Sequence, residues 1–179
     1  MYLLLQWNQK VSLTSLRDPA EILQRHFGES MFAASTVPIS SGRLADVGSG
    51  AGFPGLALKI ACPALEVVLI ESNRKKSVFL SEVVRLLNLG GVEVAGSRME
   101  DLSVRAGFAS FVSARAMGNL DRILRWARKA LPEEGQVVLW LGATDAERVS
   151  LRHGWRWREP IKIPGSHRRV LLMGRPSPS

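Results

Sequence analysis

Short apolar runs rich in β-branched residues recur along the chain at 43–48 (RLADVG), 66–71 (EVVLIE), 92–96 (VEVAG), 108–114 (FASFVSA) and 136–142 (QVVLWLG). Near-continuous hydrophobicity over so few residues is the pattern of a strand covered on both faces. Between these runs, 54–61, 72–89 and 120–131 carry helix-forming sequence, with the stop signals Asn88–Gly90 and Glu133–Gly135. Strand, helix, strand at this spacing predicts right-handed βαβ units and a parallel sheet. The end of the chain differs. "GWRWREPIKIP" and "RRVLLMGR", separated by Gly165–His167, predict an antiparallel hairpin at one sheet edge, giving a seven-stranded mixed sheet. Ahead of the sheet, "LLLQWNQKVSL" and "DPAEILQRHFGESMFAA" read as two helices, with Asp18 as cap and Pro19 at the first helical position of the second.

At 179 residues and 46% hydrophobic, one α/β domain over 1–179 is expected: a helical front piece (1–40), a core (41–175) and a flexible tail (176–179). The lone Cys62 excludes an intramolecular disulfide, and the dispersed His26, His153 and His167 offer no zinc spacing, so no structural metal is expected. "MYLLLQWNQK" resembles neither a leader nor an anchor, which points to a soluble protein of the reducing cytoplasm.

The formal charge of +8 is unevenly placed. Residues 1–97 hold 9 Lys/Arg against 8 Asp/Glu, whereas residues 98–179 hold 15 against 8. Of the 24 basic residues 18 are arginine, whose planar fork binds phosphate bidentately and stacks on bases. That excess points to a polyanionic partner, nucleic acid above all, although basicity alone could merely aid solubility.

The first strand runs into Gly48-Ser49-Gly50-Ala51-Gly52, followed by Phe53-Pro54-Gly55 at a helix start. A dinucleotide fingerprint would need glycine at position 53, and a phosphate loop would need Gly-Lys-Ser/Thr; neither is present. Asp46, two residues before the first glycine, would repel a pyrophosphate. It suits a ligand with a cationic end, either by attracting an ammonium or by fixing the loop that does. S-adenosylmethionine (SAM) has that character, with its sulfonium, ammonium and phosphate-free adenosine. Glu71 closes the second strand and could accept hydrogen bonds from ribose hydroxyls, while Glu100 and Asp101 follow the third. Glu71 could equally be a solvated strand end, and Glu100–Asp101 a cap on the following turn; taken together the residues favour SAM over NAD, held by Asp46, Gly48, Gly50, Gly52, Glu71 and Glu100.

After the fourth strand stands Ser113-Ala114-Arg115-Ala116. The polar-Pro-Pro-aromatic clamp of exocyclic-amine methylation is absent, and Cys62 lies at the far end of a helix from any pyrimidine-C5 chemistry. Guanine N7 needs neither: it has a lone pair and no proton, so position and electrostatic fit suffice. Arg115 could then bind guanine O6 or a phosphate, or else be a surface arginine paired with Glu100 or Asp101.

"DVGSGAGFPG", "ESNRKKSVFL", "SRMEDL" and "SARA", in this order and preceded by "LLLQWNQKVSLTSLRDPAEILQRHFGES", resemble the RsmG family, also called glucose-inhibited division protein B. The resemblance covers roughly residues 3–143. It implies a Rossmann-like class I SAM-dependent methyltransferase that modifies N7 of a guanine in the 530 loop of 16S ribosomal RNA in the small subunit. It further implies that Gly48, Phe53, Met99, Glu100 and Arg115 line the SAM site, with Arg115 catalytic and Glu71 at the ribose. Lys75 and Lys76 would stand where RNA enters, although such a pair is also an ordinary solvated helix face. Arg17, Arg25 and His26 match the front-piece motif and would contact RNA or the SAM-site loops, a packed histidine being the plainer reading of His26.

There are departures. Trp140-Leu141-Gly142 stands where the family commonly has Leu-Lys-Gly, Ser12 replaces an Asn, "GES" replaces "LDS" after His26, and the chain is short for the family. In the hairpin, Trp155 and Trp157 alternate with Arg156 and Arg158, placing the two kinds on opposite faces. Tryptophans packed on the sheet with solvated arginines is one reading; Arg156, Arg158, Arg168 and Arg169 tracking RNA phosphates is the other. Two other functions stay open: methylation of a small molecule or protein, and RNA binding by a SAM-retaining chain without turnover.

Overall fold

Five parallel strands form the centre of the sheet: β1 (Gly42–Val47), β2 (Leu65–Ile70), β3 (Val92–Ala95), β4 (Phe111–Arg115) and β5 (Gln136–Gly142). The computed structural model describes residues 1–115 and 118–178. Three further strands, β6 (Trp155–Trp157), β7 (Ile161–Lys162) and β8 (Arg169–Pro176), complete the sheet. β8 pairs antiparallel with β5, and β6 and β7 both pair with β8, for the order β3-β2-β1-β4-β5-β8-β6.

The seven expected strands are therefore present, the outermost being split. Register shows why: Trp157 faces Gly174 while Ile161 faces Leu171, so the outer strand carries one extra residue between them. Pro160, which has no N–H to give, lies in that break.

Period-two geometry fills two cores. Leu44, Val67 and Leu69 point to one face, and Ala45, Val47, Val68 and Ile70 to the other. The first face is covered by α4 (Gly55–Ala61) and α5 (Arg74–Leu86), through Leu56, Leu58, Phe79 and Leu80. The front piece joins the same core with Leu4, Leu13, Leu16, Ile22 and Ile39. Each such fully buried aliphatic side chain contributes about 1.5–3 kcal/mol. On the second face lie α6 (Leu120–Ala130) and α7 (Ala143–Ser150), through Ile123, Trp126, Ala146 and Val149.

Several boundaries differ from the sequence reading. The first helix, α1 (Tyr2–Asn8), stops well short of Leu13 because the Asn8 carboxamide accepts from the Leu13 and Thr14 N–H groups and turns the chain. β4 begins at Phe111, since the Ala109 N–H is given to the Ala130 carbonyl instead of a strand partner. α6 ends at Ala130, before the expected Glu133–Gly135 stop, because Pro132 holds Leu131 extended (ψ 144°). α7 was not expected at all. The tail is more ordered than expected: Pro176 belongs to β8 and the Ser177 N–H donates to the Gly154 carbonyl at 2.9 Å, while Ser179 lies outside the described residues.

The second front-piece helix begins as expected, with Asp18 accepting from the Ala20 and Glu21 N–H groups and Pro19 opening α2 (Pro19–Ile22). It widens into a π-helical turn over Leu23–Gly28, where the Glu29 N–H reaches back to the Gln24 carbonyl, and continues as α3 (Glu29–Thr36). That wide turn carries Arg25 and His26 to the carboxyl ends of the strands.

Candidate functional site

Strand order reverses at β1, whose sequence neighbour β2 lies on one side and β4 on the other, and a crevice opens above their carboxyl ends. Its volume is about 580 Å³, and its walls include His26, Gly48, Gly50, Phe53, Glu71, Lys76, Ser97, Met99, Glu100, Arg115 and Arg122. That size suits a nucleoside-sized ligand.

The glycine loop forms the floor. Gly48 (φ 69°) and Gly50 (φ 56°) adopt left-handed backbone, which lets the Gly48 and Ser49 N–H groups both reach the Ile70 carbonyl, at 2.8 and 3.1 Å. The Gly50 N–H donates to Glu71 Oε2 at 2.9 Å, and Glu71 Oε1 accepts from the Asn73 N–H at 2.8 Å. Glu71 thus ties the ends of β1 and β2 together. Each of its oxygens keeps a lone pair, as an acceptor for a ligand hydroxyl requires.

Two expected ligand contacts lie beneath the floor instead. Asp46 is fully buried, accepting from Ser113 Oγ at 2.6 Å and the Gly55 N–H at 3.2 Å. It holds the loop and does not line the crevice; burial pushes its carboxyl up to about 6, against the pull of those bonds. Gly52 (φ 90°) is also absent from the wall, and a Cβ there would stand 2.3 Å from Leu56 Cδ1 and 3.3 Å from Leu80 Cδ2. Gly52→Ala combines left-handed strain with overpacking, and a loss of about 2–4 kcal/mol is expected in urea unfolding. An unchanged midpoint would show that Leu56 yields freely.

Met99 and Glu100 lie on the 3₁₀ turn Met99–Asp101 at the opposite wall. Glu100 is ion-paired with Arg122, a crevice residue that sequence reading missed, and Asp101 is exposed outside the lining. Ser97 Oγ, also on this wall, is buried without a hydrogen-bond partner among the described residues.

The front piece supplies the remaining side. Phe53 is stacked on His26 (4.9 Å between centroids, 12° between planes) and met edge-on by Phe27. His26 Nε2 lies 2.8 Å from Thr14 Oγ1. Burial, followed by the Arg115, Arg25 and Arg169 charges, lowers its pKa to about 4. A histidine lowered on folding binds its proton less well than the unfolded chain does, so it subtracts stability as pH falls from about 6.5 to about 4. Against His26→Gln, the wild-type melting temperature should gain steadily over that window and run parallel above pH 7. A constant difference from pH 4 to 7 would show that the fold leaves the proton affinity of the imidazole unchanged.

Arg115, at the end of β4, is not paired with Glu100 or Asp101. Its Nη2 donates to the Arg25 carbonyl at 2.6 Å and lies 3.0 Å from Glu29 Oε2. Its Nη1 is buried and has no hydrogen-bond partner among the described residues. Ala116, the last residue of the expected "SARA" stretch, lies outside the described residues.

The expected RNA contacts are scattered. Lys76 lines the crevice, but Lys75 lines a separate groove with Gln6, Trp7 and Lys10. Arg17 is exposed on the front piece. Register splits the hairpin arginines. Arg169 is opposite Gly142 at the crevice end of β5, with Arg168 beside it, whereas Arg156 pairs with Arg175 at the level of the start of β5. Six residues of strand put about 20 Å between those levels, so the four do not form one track. Arg169 is moreover engaged, 2.7 Å from Glu29 Oε1. Trp155 and Trp157 stack on each other and pack on the core, with Arg156 and Arg158 exposed on the other face.

The chain's relatives bear on what this crevice holds. A family model described as rRNA small subunit methyltransferase G (GidB) matches residues 1–154. A protein of Stenotrophomonas maltophilia (strain R551-3) named ribosomal RNA small subunit methyltransferase G is 42% identical over 166 residues, covering 91% of this chain and 77% of that one. One of the same name from Xylella fastidiosa (strain M23) is 42% identical over 149 residues, covering 83% and 69%. Among solved structures, a SAM-dependent methyltransferase from Aquifex aeolicus superposes with a TM-score of 0.76 at 15% identity, covering 93% of this chain and 97% of that one.

Proposed function

We propose, from the premise that this chain belongs to the rRNA small subunit methyltransferase G (GidB) family, that it methylates N7 of a guanine in the 530 loop of 16S ribosomal RNA. SAM is the cofactor, and the donor set fits it: carboxylate lone pairs on Glu71 for a ribose diol, a buried Ser97 hydroxyl without a hydrogen-bond partner among the described residues, apolar Met99, and a glycine floor with no phosphate-binding lysine. When bound it supplies a methyl group on a positively charged sulfur. Glu71 and the backbone of Gly48 and Gly50 would hold the adenosine half, with Met99, Glu100 and Phe53 along its sides. Asp46 and Gly52 would act beneath, through the shape of the loop.

The observation that carries the reading is Arg115: a guanidinium at the crevice wall, with Nη2 engaged by the front piece and the buried Nη1 without a hydrogen-bond partner among the described residues. Guanine presents O6 beside N7, and an arginine at O6 would orient the base while leaving the N7 lone pair to react. No group on the chain has to take a proton, because N7 carries none. This agrees with a neutral His26, occupied by Thr14 and stacked on Phe53. The base would be turned out of its stack to reach the crevice. Lys76 and Arg168 lie on the side where the RNA backbone would pass; Arg17, Lys75, Arg156 and Arg158 would make at most peripheral contacts. The front piece and sheet act as one domain in this reading, since His26 comes from one and Arg115 from the other.

The direct check is methyl transfer from labelled SAM to small subunits lacking the modification, alongside deproteinised 16S RNA, with nucleosides identified after digestion. Label in 7-methylguanosine from one loop supports the assignment. Retained SAM binding without transfer to either substrate would overturn it.

A further inference from the structure

Glu29 belongs to the front piece and yet meets the sheet at two arginines. It is 3% exposed. Its Oε2 lies 3.0 Å from Arg115 Nη2, and its Oε1 lies 2.7 Å from Arg169 Nη2. β4 and β8 contribute those guanidiniums, so one carboxylate joins the front piece to the central strand and to the closing one. A buried carboxylate persists only with such partners, since it loses its water and must recover the interaction from fixed charges.

The contacts on Arg115 are asymmetric. Nη2 is hydrogen-bonded to the Arg25 carbonyl at 2.6 Å and ion-paired with Glu29 Oε2 at 3.0 Å, the latter by charge and not by a formed hydrogen bond. Nη1 has no hydrogen-bond partner among the described residues. A guanidinium is planar, so two contacts on one nitrogen restrict the direction in which the other faces. Arg25 does not compete for Glu29 in the same way, being paired with Glu21 at 2.8 Å, and His26 is engaged with Thr14. Arg169 does share Glu29, and in doing so fastens the start of β8 beside the crevice.

We propose that Glu29 is a positioning residue for the transfer: it holds one nitrogen of Arg115, and with it the guanidinium at the crevice wall where the acceptor base would meet it, and through Arg169 it locks the closing strand to the same point. This rests on the role given to Arg115 under the proposed function. Glu29 itself touches neither cofactor nor base. It acts by keeping a donor in place, where a displacement of about 1 Å can cost about 100-fold in rate.

A double-mutant cycle tests this. Glu29→Gln keeps the volume and removes the charge that holds Arg115. With small subunits as substrate, kcat should fall about 30-fold, while the KM for SAM stays within about twofold because Glu29 is not on the crevice wall. In an Arg115→Ala background the same change should cost less than about twofold, the group it positions being gone. Glu29→Asp, which keeps the charge on a shorter arm, should recover kcat to within about fivefold of wild type. An unchanged kcat in Glu29→Gln, or an equal loss in the two backgrounds, overturns the inference and leaves Arg115 where it was. If Arg115→Ala transfers methyl groups at the wild-type rate, the role of Arg115 fails, and the inference with it. Should Glu29→Gln not fold, Glu29→Asp carries the cycle: its smaller loss must vanish without Arg115, and an equal loss in both backgrounds overturns the proposal.

Discussion

Arg115→Ala should lower kcat for methyl transfer to small-subunit RNA by about 100- to 1,000-fold while SAM affinity changes less than about threefold. The magnitude is that of removing one fixed donor from a site whose work is orientation and charge complementarity. The split between the two parameters follows from the geometry. Both contacts of Nη2 go to the front piece, and the cofactor floor is built by Gly48, Gly50 and Glu71 without it. Folding should survive, because Glu29 keeps Arg169 and is not left as an unpaired buried charge. Arg115→Lys should recover little: an ammonium cannot span the Glu29 contact on one side and a base oxygen on the other, as the two-ended fork can. Equilibrium binding of SAM, with single-turnover transfer to unmodified subunits, separates the effects. Loss of SAM affinity in parallel with the rate would place Arg115 at the cofactor instead of the acceptor.

Much of this site was legible before any coordinates. The strands announced themselves because each is covered on both faces, so apolar residues run on without interruption. The glycine spacing speaks against a phosphate as the main ligand, and acids at the ends of two strands mark the crevice. What could not be read was pairing across the fold. Nothing in the sequence links Arg115 to Glu29, 86 positions earlier; the link exists because the π-helical turn over Leu23–Gly28 swings the front piece over the end of β4. The nearest acids in sequence, Glu100 and Asp101, were the natural partners to expect, but Arg122 of α6 takes Glu100. A lone "GES" after a histidine carries no sign that its carboxylate will be buried.

The same limit applied to shorter features. α7 was missed because "ATDAERVS" buries only Ala146 and Val149, three residues apart, too little for a helical period to show. The arginines of the hairpin were grouped by their nearness in sequence, but a hairpin sends its two ends to opposite ends of the sheet. Arg169 and Arg156 are thereby separated along β8. The tryptophan and arginine alternation, by contrast, needs only strand geometry, and it held.

Asp46 shows how local chemistry can be read correctly in kind and wrongly in direction. A carboxylate before a glycine loop suggests attraction of a cationic ligand. In the fold it is sealed under the loop, where the Ser113 hydroxyl and the Gly55 N–H donate to it. Its pKa rises on folding, from 3.8 to about 6, so the native state binds the proton more tightly than the unfolded chain. Its stabilising influence is complete below pH 3.8 and is lost as pH rises through about 6. The shift corresponds to about 3 kcal/mol. Asp46→Asn, which resembles the protonated acid in shape and hydrogen bonding, should match the wild type at pH 4 and be more stable by up to about 3 kcal/mol at pH 8. Asp46→Ala leaves the hydroxyl and the N–H without an acceptor and should lie about 2–4 kcal/mol below the Asn variant at every pH. Chemical denaturation of the three proteins across pH gives both comparisons, with other titrations cancelling in the differences. SAM binding then decides the role: a loop support predicts affinity within about threefold for Asn and a loss of about tenfold or more for Ala, whose loop has lost its anchor. A folded Asp46→Asn protein that binds SAM tenfold more weakly would mean that the charge itself is felt by the ligand through the loop.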